Sequence, residues 1–311
     1  MTLHPEAKAI LDVMNQFEVP DFTQMEAHEA RALMATLRQP AAPLPPLSRH
    51  ENISVSSRDG THQIAGRVYA PENAAHGLPL IVYYHGGGWV FGDLEGHDAF
   101  CANLCIGANA VVVSVDYRLA PEAKFPVPVE DCYDVTKWAF DNAASLGADA
   151  SKLAVGGDSA GGNLAACVAL MAREADDLSI AAQILYYPVV SADFERASYI
   201  DNAEGYFLTR NAMQWFWDQY LAMDDQARDP RVAPMNAPLH GLPPALVITA
   251  EYDPLRDEGE HYAKALVEAQ VPTTFERFNG QIHGFVSMID VLSDAKRVVA
   301  KTDAFLKGAF V

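Results

Sequence analysis

The sequence predicts an α/β protein, with a mostly parallel sheet carrying helices on both faces. Three observations support that expectation. Short apolar runs of strand length alternate with helical stretches through most of the 311 residues. One such run, "KLAVGG" (152–157), passes through Asp158-Ser159-Ala160-Gly161-Gly162 straight into an alanine-rich helical stretch. Another, "PLIVYYH" (79–85), ends on the triple glycine of "HGGGW".

In chain order, "HPEAKAILDVMNQF" and "FTQMEAHEARALMATLR" space their apolar residues as helices do, and the prolines of "QPAAPLPPLSRH" end that pattern. "NISVSS" and "HQIAGRVYA" then form an antiparallel pair about the turn "RDG". "PLIVYYH", "AVVVSVD" (110–116), "KLAVGG", "AAQILYYP" (181–188) and "PALVITA" (244–250) suit strands buried on both faces. "TTFERFN" (273–279) alternates more and fits a strand nearer an edge. Helices are expected over 97–108, 131–145, 160–174, 257–270 and about 290–307. The interval from Pro188 to Pro243 breaks the rhythm. Its "EGYFLTRNAMQWFWDQYLAMDD" reads as a cap inserted over a pocket, against the plainer reading of an amphipathic helix closing the core.

Composition narrows the function classes. Half the residues are hydrophobic and 20% are charged, as in a globular protein. No apolar run reaches the roughly 18 residues that span a bilayer. The start carries Glu6 and Asp12 and lacks a basic flank before an apolar core, so no signal peptide is expected and the cytoplasm is the expected location. The net charge of −19 repels nucleic acid and anionic membranes, so neither is an expected partner. Cys101, Cys105, Cys132 and Cys167 are too few for a disulfide framework, and the first two read as small buried helix residues, not metal ligands.

Gly157-x-Ser159-x-Gly161 between a strand and a helix is the pattern of a nucleophile elbow. The serine occupies a strained turn, and side chains two residues to either side would collide there. A serine hydroxyl needs a base to take its proton. Of ten histidines, His283 in "NGQIHGF" is the candidate, because it follows the last strand. His4, His28 and His50 come too early, and His261 reads as a helix-surface residue. Asp253, just beyond a strand in "PALVITAEYDPLRDEGE", is the acid that would orient His283. Asp257 is the runner-up, since it equally fits a charge at a helix start, and Glu251 would pair locally. The order Ser159, Asp253, His283 differs from both common protease orders.

Attack on a carbonyl leaves a negative oxygen that must be stabilised. The expected donors are the backbone N–H groups of Gly87, Gly88 and Ala160. A hinge or a phosphate loop is the competing reading of the glycines, but the lysine and spacing of a P-loop are missing. His85 reads as a brace for this loop.

Together these residues resemble the hormone-sensitive-lipase-like esterases, the bacterial family IV of α/β-hydrolases. The resemblance rests on His85-Gly86-Gly87-Gly88-Trp89, "DYRLAPE" (116–122), "GDSAGG" (157–162), "DPLRDEG" (253–259) and "HGF" (283–285), in the family's order. It implies an α/β-hydrolase sheet of about eight strands and a cap made from an N-terminal helical segment plus an insertion. On that basis residues 1–45 are expected in the cap and 46–311 in the catalytic domain, with the cap insertion at about 190–228. The implied activity is hydrolysis of short- to medium-chain carboxylic esters, with neither metal nor cofactor. Asp158 would support the elbow, and Tyr117 and Arg118 would be structural.

The expected partner is a small-molecule ester, with the oligomeric state open between monomer and dimer. Trp89, Phe91, Tyr187, Phe207, Trp215, Phe216 and Phe285 are candidates to line acyl and alcohol pockets, against ordinary core packing for some of them. Amidase, lactonase or peptidase chemistry would use the same three residues. A non-catalytic receptor on this scaffold, like the plant gibberellin receptors, is the alternative from another class, and retention of His283 speaks against it.

Overall fold

The computed structural model describes residues 2–16, 20–37, 43–72 and 77–310. Helices α1 (Pro5–Met14) and α2 (Ala27–Leu37) come first, with a short 3-10 turn, Phe22–Gln24, between them. Residue 38, at the end of the second expected helix, and residues 39–42, part of the expected proline-rich connector, lie outside the described residues. Its end is already strand, because β1 (Leu47–Ser56) pairs antiparallel with β2 (Gln63–Pro71) from Leu47 onward. Prolines stop at Pro46, and Ser48 onward is free to donate to the ladder.

The alternating body follows: β3 (Leu78–Tyr84), α3 (Leu94–Gly107), β4 (Val111–Asp116), α4 (Val127–Asp141), β5 (Ala148–Asp158) and α5 (Ala160–Ala175). Beyond β6 (Ala182–Tyr186) the chain leaves the sheet through α6 (Ala197–Asp201) and α7 (Arg210–Tyr220). It returns in β7 (Ala245–Tyr252), α8 (Arg256–Glu268), β8 (Thr273–Ile282) and α9 (Ser293–Ala309). Helix α4 starts earlier than the sequence pattern suggests, since Pro128 sits in its first turn, where a missing N–H costs nothing.

The eight strands form one sheet in the order β1-β2-β4-β3-β5-β6-β7-β8. The pairs β1–β2 and β2–β4 are antiparallel and the rest are parallel. Both faces are covered, and alternate side chains of one strand enter different cores. Leu80, Val82 and Tyr84 pack with α4 and α5, whereas Ile81 and Tyr83 pack with α3 and α9. This explains why the central strands read as continuous apolar runs.

Parallel strands bring their C-terminal ends to one sheet edge. Tyr84 of β3 stands beside Gly157 of β5 in register, so the loops after these two strands are neighbours. The loops after β7 and β8 open on the same edge. The N-terminal segment packs there as well: Ala7 and Leu11 meet Ile282, Tyr206 and Tyr252, and the His4 N–H donates to the Gly280 carbonyl at 2.9 Å.

Candidate active site

Ser159 joins β5 to α5 with φ 57° and ψ −118°, a backbone state that L-residues avoid. The surroundings hold it there. Its N–H donates to the Tyr186 carbonyl at 2.9 Å, and its own carbonyl accepts from Asn163 N–H at 3.0 Å. Gly161 has no alternative: a Cβ at that position would lie 1.9 Å from the Tyr84 carbonyl oxygen. The hydroxyl is thereby fixed at the sheet edge in a residue only 7% exposed.

His283 follows β8 and reaches across the edge. Its Nε2 lies 3.0 Å from Ser159 Oγ, and its Nδ1 lies 2.8 Å from Asp253 Oδ2. A carboxylate only accepts, so Nδ1 carries the proton and Nε2 is left to accept from the serine hydroxyl. Asp253 is fully buried, and its Oδ1 accepts from the Leu255 N–H at 2.8 Å. The inserted segment reinforces this loop, since Asn202 donates to the Asp253 carbonyl and Ser198 Oγ to the Pro254 carbonyl.

The competing residues are occupied elsewhere. Asp257 accepts from Ser198 N–H at 2.8 Å and from Arg256 Nε at 2.9 Å. Glu251 accepts from Gly280 N–H, and His261 sits exposed on α8 beside Arg196.

The loop after β3 turns back on itself, with Gly87 at φ 119° and Gly88 at φ 60°. The Gly87 carbonyl accepts from the N–H groups of Val90 (3.1 Å) and Phe91 (2.8 Å). Gly88 must lack a side chain, because a Cβ would sit 2.2 Å from the Phe216 ring. Among the described residues, no group accepts a hydrogen bond from the N–H of Gly87, Gly88 or Ala160. Gly87 and Gly88 follow β3, Ala160 follows Ser159, and β3 and β5 are neighbours in register.

Asp158 ties the loop to the elbow. One of its carboxylate oxygens accepts from Tyr83 OH at 2.7 Å and from Gly86 N–H at 3.0 Å, with His97 Nε2 at 3.4 Å. Burial opposes ionisation, but His97, Tyr83 and His85 outweigh it and hold this carboxyl below the usual range. His85 is a brace, as expected. Its ring stacks on Tyr117 at 4.3 Å, Tyr117 OH donates to its carbonyl at 2.8 Å, and burial pushes its imidazole down to about 4. Arg118 pairs with the buried Asp131 and is structural.

The aromatic candidates divide. Trp89, Tyr187 and Phe285 are fully buried and cannot line a pocket as the chain stands, which corrects that expectation. Trp89 stacks on Tyr220 at 4.3 Å, and Tyr187 packs between His283 and Phe285. Phe91 and Trp215 are half-buried, and Phe207 is 47% exposed beside Gly284.

Phe91, Trp215 and the buried Phe216 form one cluster with Phe22, a residue the sequence pattern did not single out. The signal available was Asp21, whose carboxylate caps the turn that presents Phe22. Three segments far apart in sequence, carrying Phe22, Phe91 and the pair Trp215–Phe216, therefore meet at the glycine loop.

No helix among the described residues is long and apolar enough to cross a membrane. A family described as having the alpha/beta hydrolase fold matches residues 81–287. The chain is 40% identical to the carboxylesterase NlhH of Mycobacterium tuberculosis, over 99% of this chain and 96% of that protein. It is 37% identical to an arylesterase of Saccharolobus solfataricus over the full length of both. Among solved structures, an ester hydrolase from the metagenome of Lake Arreo, complexed with a derivative of bipyridine phosphonate, superposes with a TM-score of 0.93. Identity to it is 39%, covering 99% of each chain.

Proposed function

The chain belongs to the alpha/beta hydrolase fold family, in its hormone-sensitive-lipase-like branch, and is a carboxylic ester hydrolase; from that premise we propose that Ser159, His283 and Asp253 carry the reaction through an acyl-enzyme. The observation that supports this most is the unbroken hydrogen-bonded line from Asp253 through His283 to Ser159, at 2.8 and 3.0 Å.

His283 Nε2 takes the hydroxyl proton as Oγ attacks the ester carbonyl carbon. The carbonyl π electrons move to oxygen, where the N–H groups of Gly87, Gly88 and Ala160 receive the charge. Asp253 stabilises the imidazolium and holds its tautomer. The intermediate collapses, the C–O bond to the alcohol breaks, and the proton on Nε2 goes to that leaving oxygen. Water then repeats the sequence on the acyl-enzyme, giving its proton to His283, and the acid departs as Ser159 is reprotonated. Each N–H donor of this kind is worth about 10²–10³ in turnover.

The acyl group is short to medium, and the cap consists of the N-terminal segment up to about residue 45 together with the insertion at about 190–228. The low exposure of Ser159 and the ring cluster of Phe22, Phe91, Trp215 and Phe216 above the glycine loop favour a compact ester over an extended lipid chain. Purified protein assayed on p-nitrophenyl esters from acetate to palmitate tests this. A rate maximum at or below octanoate supports the assignment, and a maximum at palmitate contradicts it.

A further inference from the structure

Arg31, on α2, reaches the glycine loop from outside the catalytic core. Its Nε donates to the Val90 carbonyl at 2.8 Å, and Nη2 donates to the Ala120 carbonyl. Nη1 and Nη2 also grip Glu122 bidentately, at 2.8 and 2.7 Å. A surface ion pair alone contributes about 1 kcal/mol or less, so Glu122 does not account for a guanidinium aimed at two backbone carbonyls. Helix α2 buries only Ala27 and Ala30, so the same contacts also anchor this helix to the body of the protein.

The Val90 carbonyl leads inward. It shares one peptide unit with the Phe91 N–H, which donates to the Gly87 carbonyl at 2.8 Å. The Gly87 carbonyl shares the next peptide unit with the Gly88 N–H. A peptide unit is planar and turns as one body, so fixing its oxygen aims its N–H. Hydrogen bonds in series also polarise one another in a dry interior. The line therefore runs from a positive guanidinium through two peptides to the Gly88 N–H, one of the donors assigned above to the oxyanion.

We propose that Arg31 is a positioning residue for the oxyanion hole, contributed by the N-terminal segment and acting through the Val90–Phe91 and Gly87–Gly88 peptide units. This rests on the reading of Gly88 as an oxyanion donor. It gives the N-terminal segment a part in turnover as well as in covering the site.

The test uses the full chain and three variants: Arg31→Met, Arg31→Lys and Glu122→Gln. Turnover of p-nitrophenyl butyrate is compared with inhibition by butaneboronic acid, whose serine adduct is tetrahedral and anionic, and by butyrate, which is not tetrahedral. Arg31→Met is expected to lower kcat about 10-fold, a fraction of a whole donor's effect, with KM within about 2-fold. Boronate affinity should weaken by the same factor as kcat/KM while butyrate inhibition stays put. Glu122→Gln, which leaves the Val90 contact in place, should keep kcat within about 2-fold.

Unchanged kcat and boronate affinity in Arg31→Met overturn the proposal. Equal losses in Arg31→Met and Glu122→Gln also overturn it, because the ion pair and not the relay would then matter. Should Arg31→Met fail to fold, Arg31→Lys decides: a selective loss of kcat and boronate affinity supports the relay, and wild-type values reject it. Ser159→Ala is assayed alongside. Retained turnover there removes the catalytic reading itself, whereas an inactive Ser159→Ala beside unaltered Arg31 variants removes the relay alone.

Discussion

Asp158, the residue before the proposed nucleophile, accepts a hydrogen bond at 3.0 Å from the N–H of Gly86, the residue before the proposed oxyanion glycines. The two loops that must cooperate are thus joined one residue away from the chemistry on each side. The distance between hydroxyl and N–H donors is set by this bond and by the β3–β5 register behind it. Tyr83, which also donates to Asp158, lies on β3 just before the loop that carries Gly86 and closes the bracket.

Replacing Asp158 with Ala leaves the buried Tyr83 hydroxyl and Gly86 N–H without an acceptor, at about 1–3 kcal/mol for each group. The expected outcome is a clear fall in melting temperature together with a loss of kcat, read by thermal denaturation and ester turnover. Asp158→Asn keeps an acceptor for both donors and should lose less of each. An Asp158→Ala protein with wild-type kcat would show that the two loops hold their spacing without the carboxylate.

Asp253 and Asp257 are separated by their partners. Asp253→Asn should reduce kcat about 10³–10⁴-fold, because the amide favours the wrong His283 tautomer. Asp257→Asn disturbs only contacts to Ser198 and Arg256 and should stay within about 10-fold of wild type. Steady-state kinetics on one ester ranks them, and the reverse order would move the acid role to Asp257.

Gly161→Ala sets a Cβ against the Tyr84 carbonyl and the backbone behind it, where no flexible side chain can give way. A loss of more than about 3 kcal/mol is expected in urea unfolding. Gly308→Ala, in α9 with nothing within 4 Å of the added carbon, should change stability by less than about 1 kcal/mol. Similar losses at both positions would contradict the packing at the elbow.

Glu258 is fully buried on α8 and accepts from the Val190 and Ser191 N–H groups where the inserted segment leaves the sheet. Burial raises its carboxyl from the ordinary 4.5 to about 8. The folded state then holds a proton that the unfolded state releases. Stability from this group is full below pH 4.5 and declines until pH reaches about 8. The slope is at most about 1.4 kcal/mol per pH unit. Glu258→Gln should flatten unfolding free energy against pH within that window, and an unaltered slope would refute the assignment.

Much of this was legible in the sequence because the relevant signals are local. GxSxG between a strand and a helix, and three glycines after a strand, are short patterns whose backbone demands can be stated without a fold. Asp253 and His283 could be placed because parallel strands deliver the residues that follow them to one edge. The aromatic assignments were less legible. Trp89 and Phe91 lie two positions apart with similar chemistry, yet one is entombed on Tyr220 and the other faces the ring cluster. Side-chain direction in an irregular loop follows no period. Phe22 and Arg31 were missed for a related reason, since each acts on a segment distant in sequence and no local pattern marks the contact.

The most direct test of the account is to inactivate the protein with a p-nitrophenyl alkylphosphonate, which transfers its phosphonyl group to an activated serine, and to map the adduct by peptide mass spectrometry. One phosphonyl group on the peptide carrying Ser159, released p-nitrophenol in equal amount, and no labelling of His283→Ala at the wild-type rate are the predicted results. Labelling of a different residue, or an unlabelled Ser159 in protein that has lost its esterase activity, would contradict it.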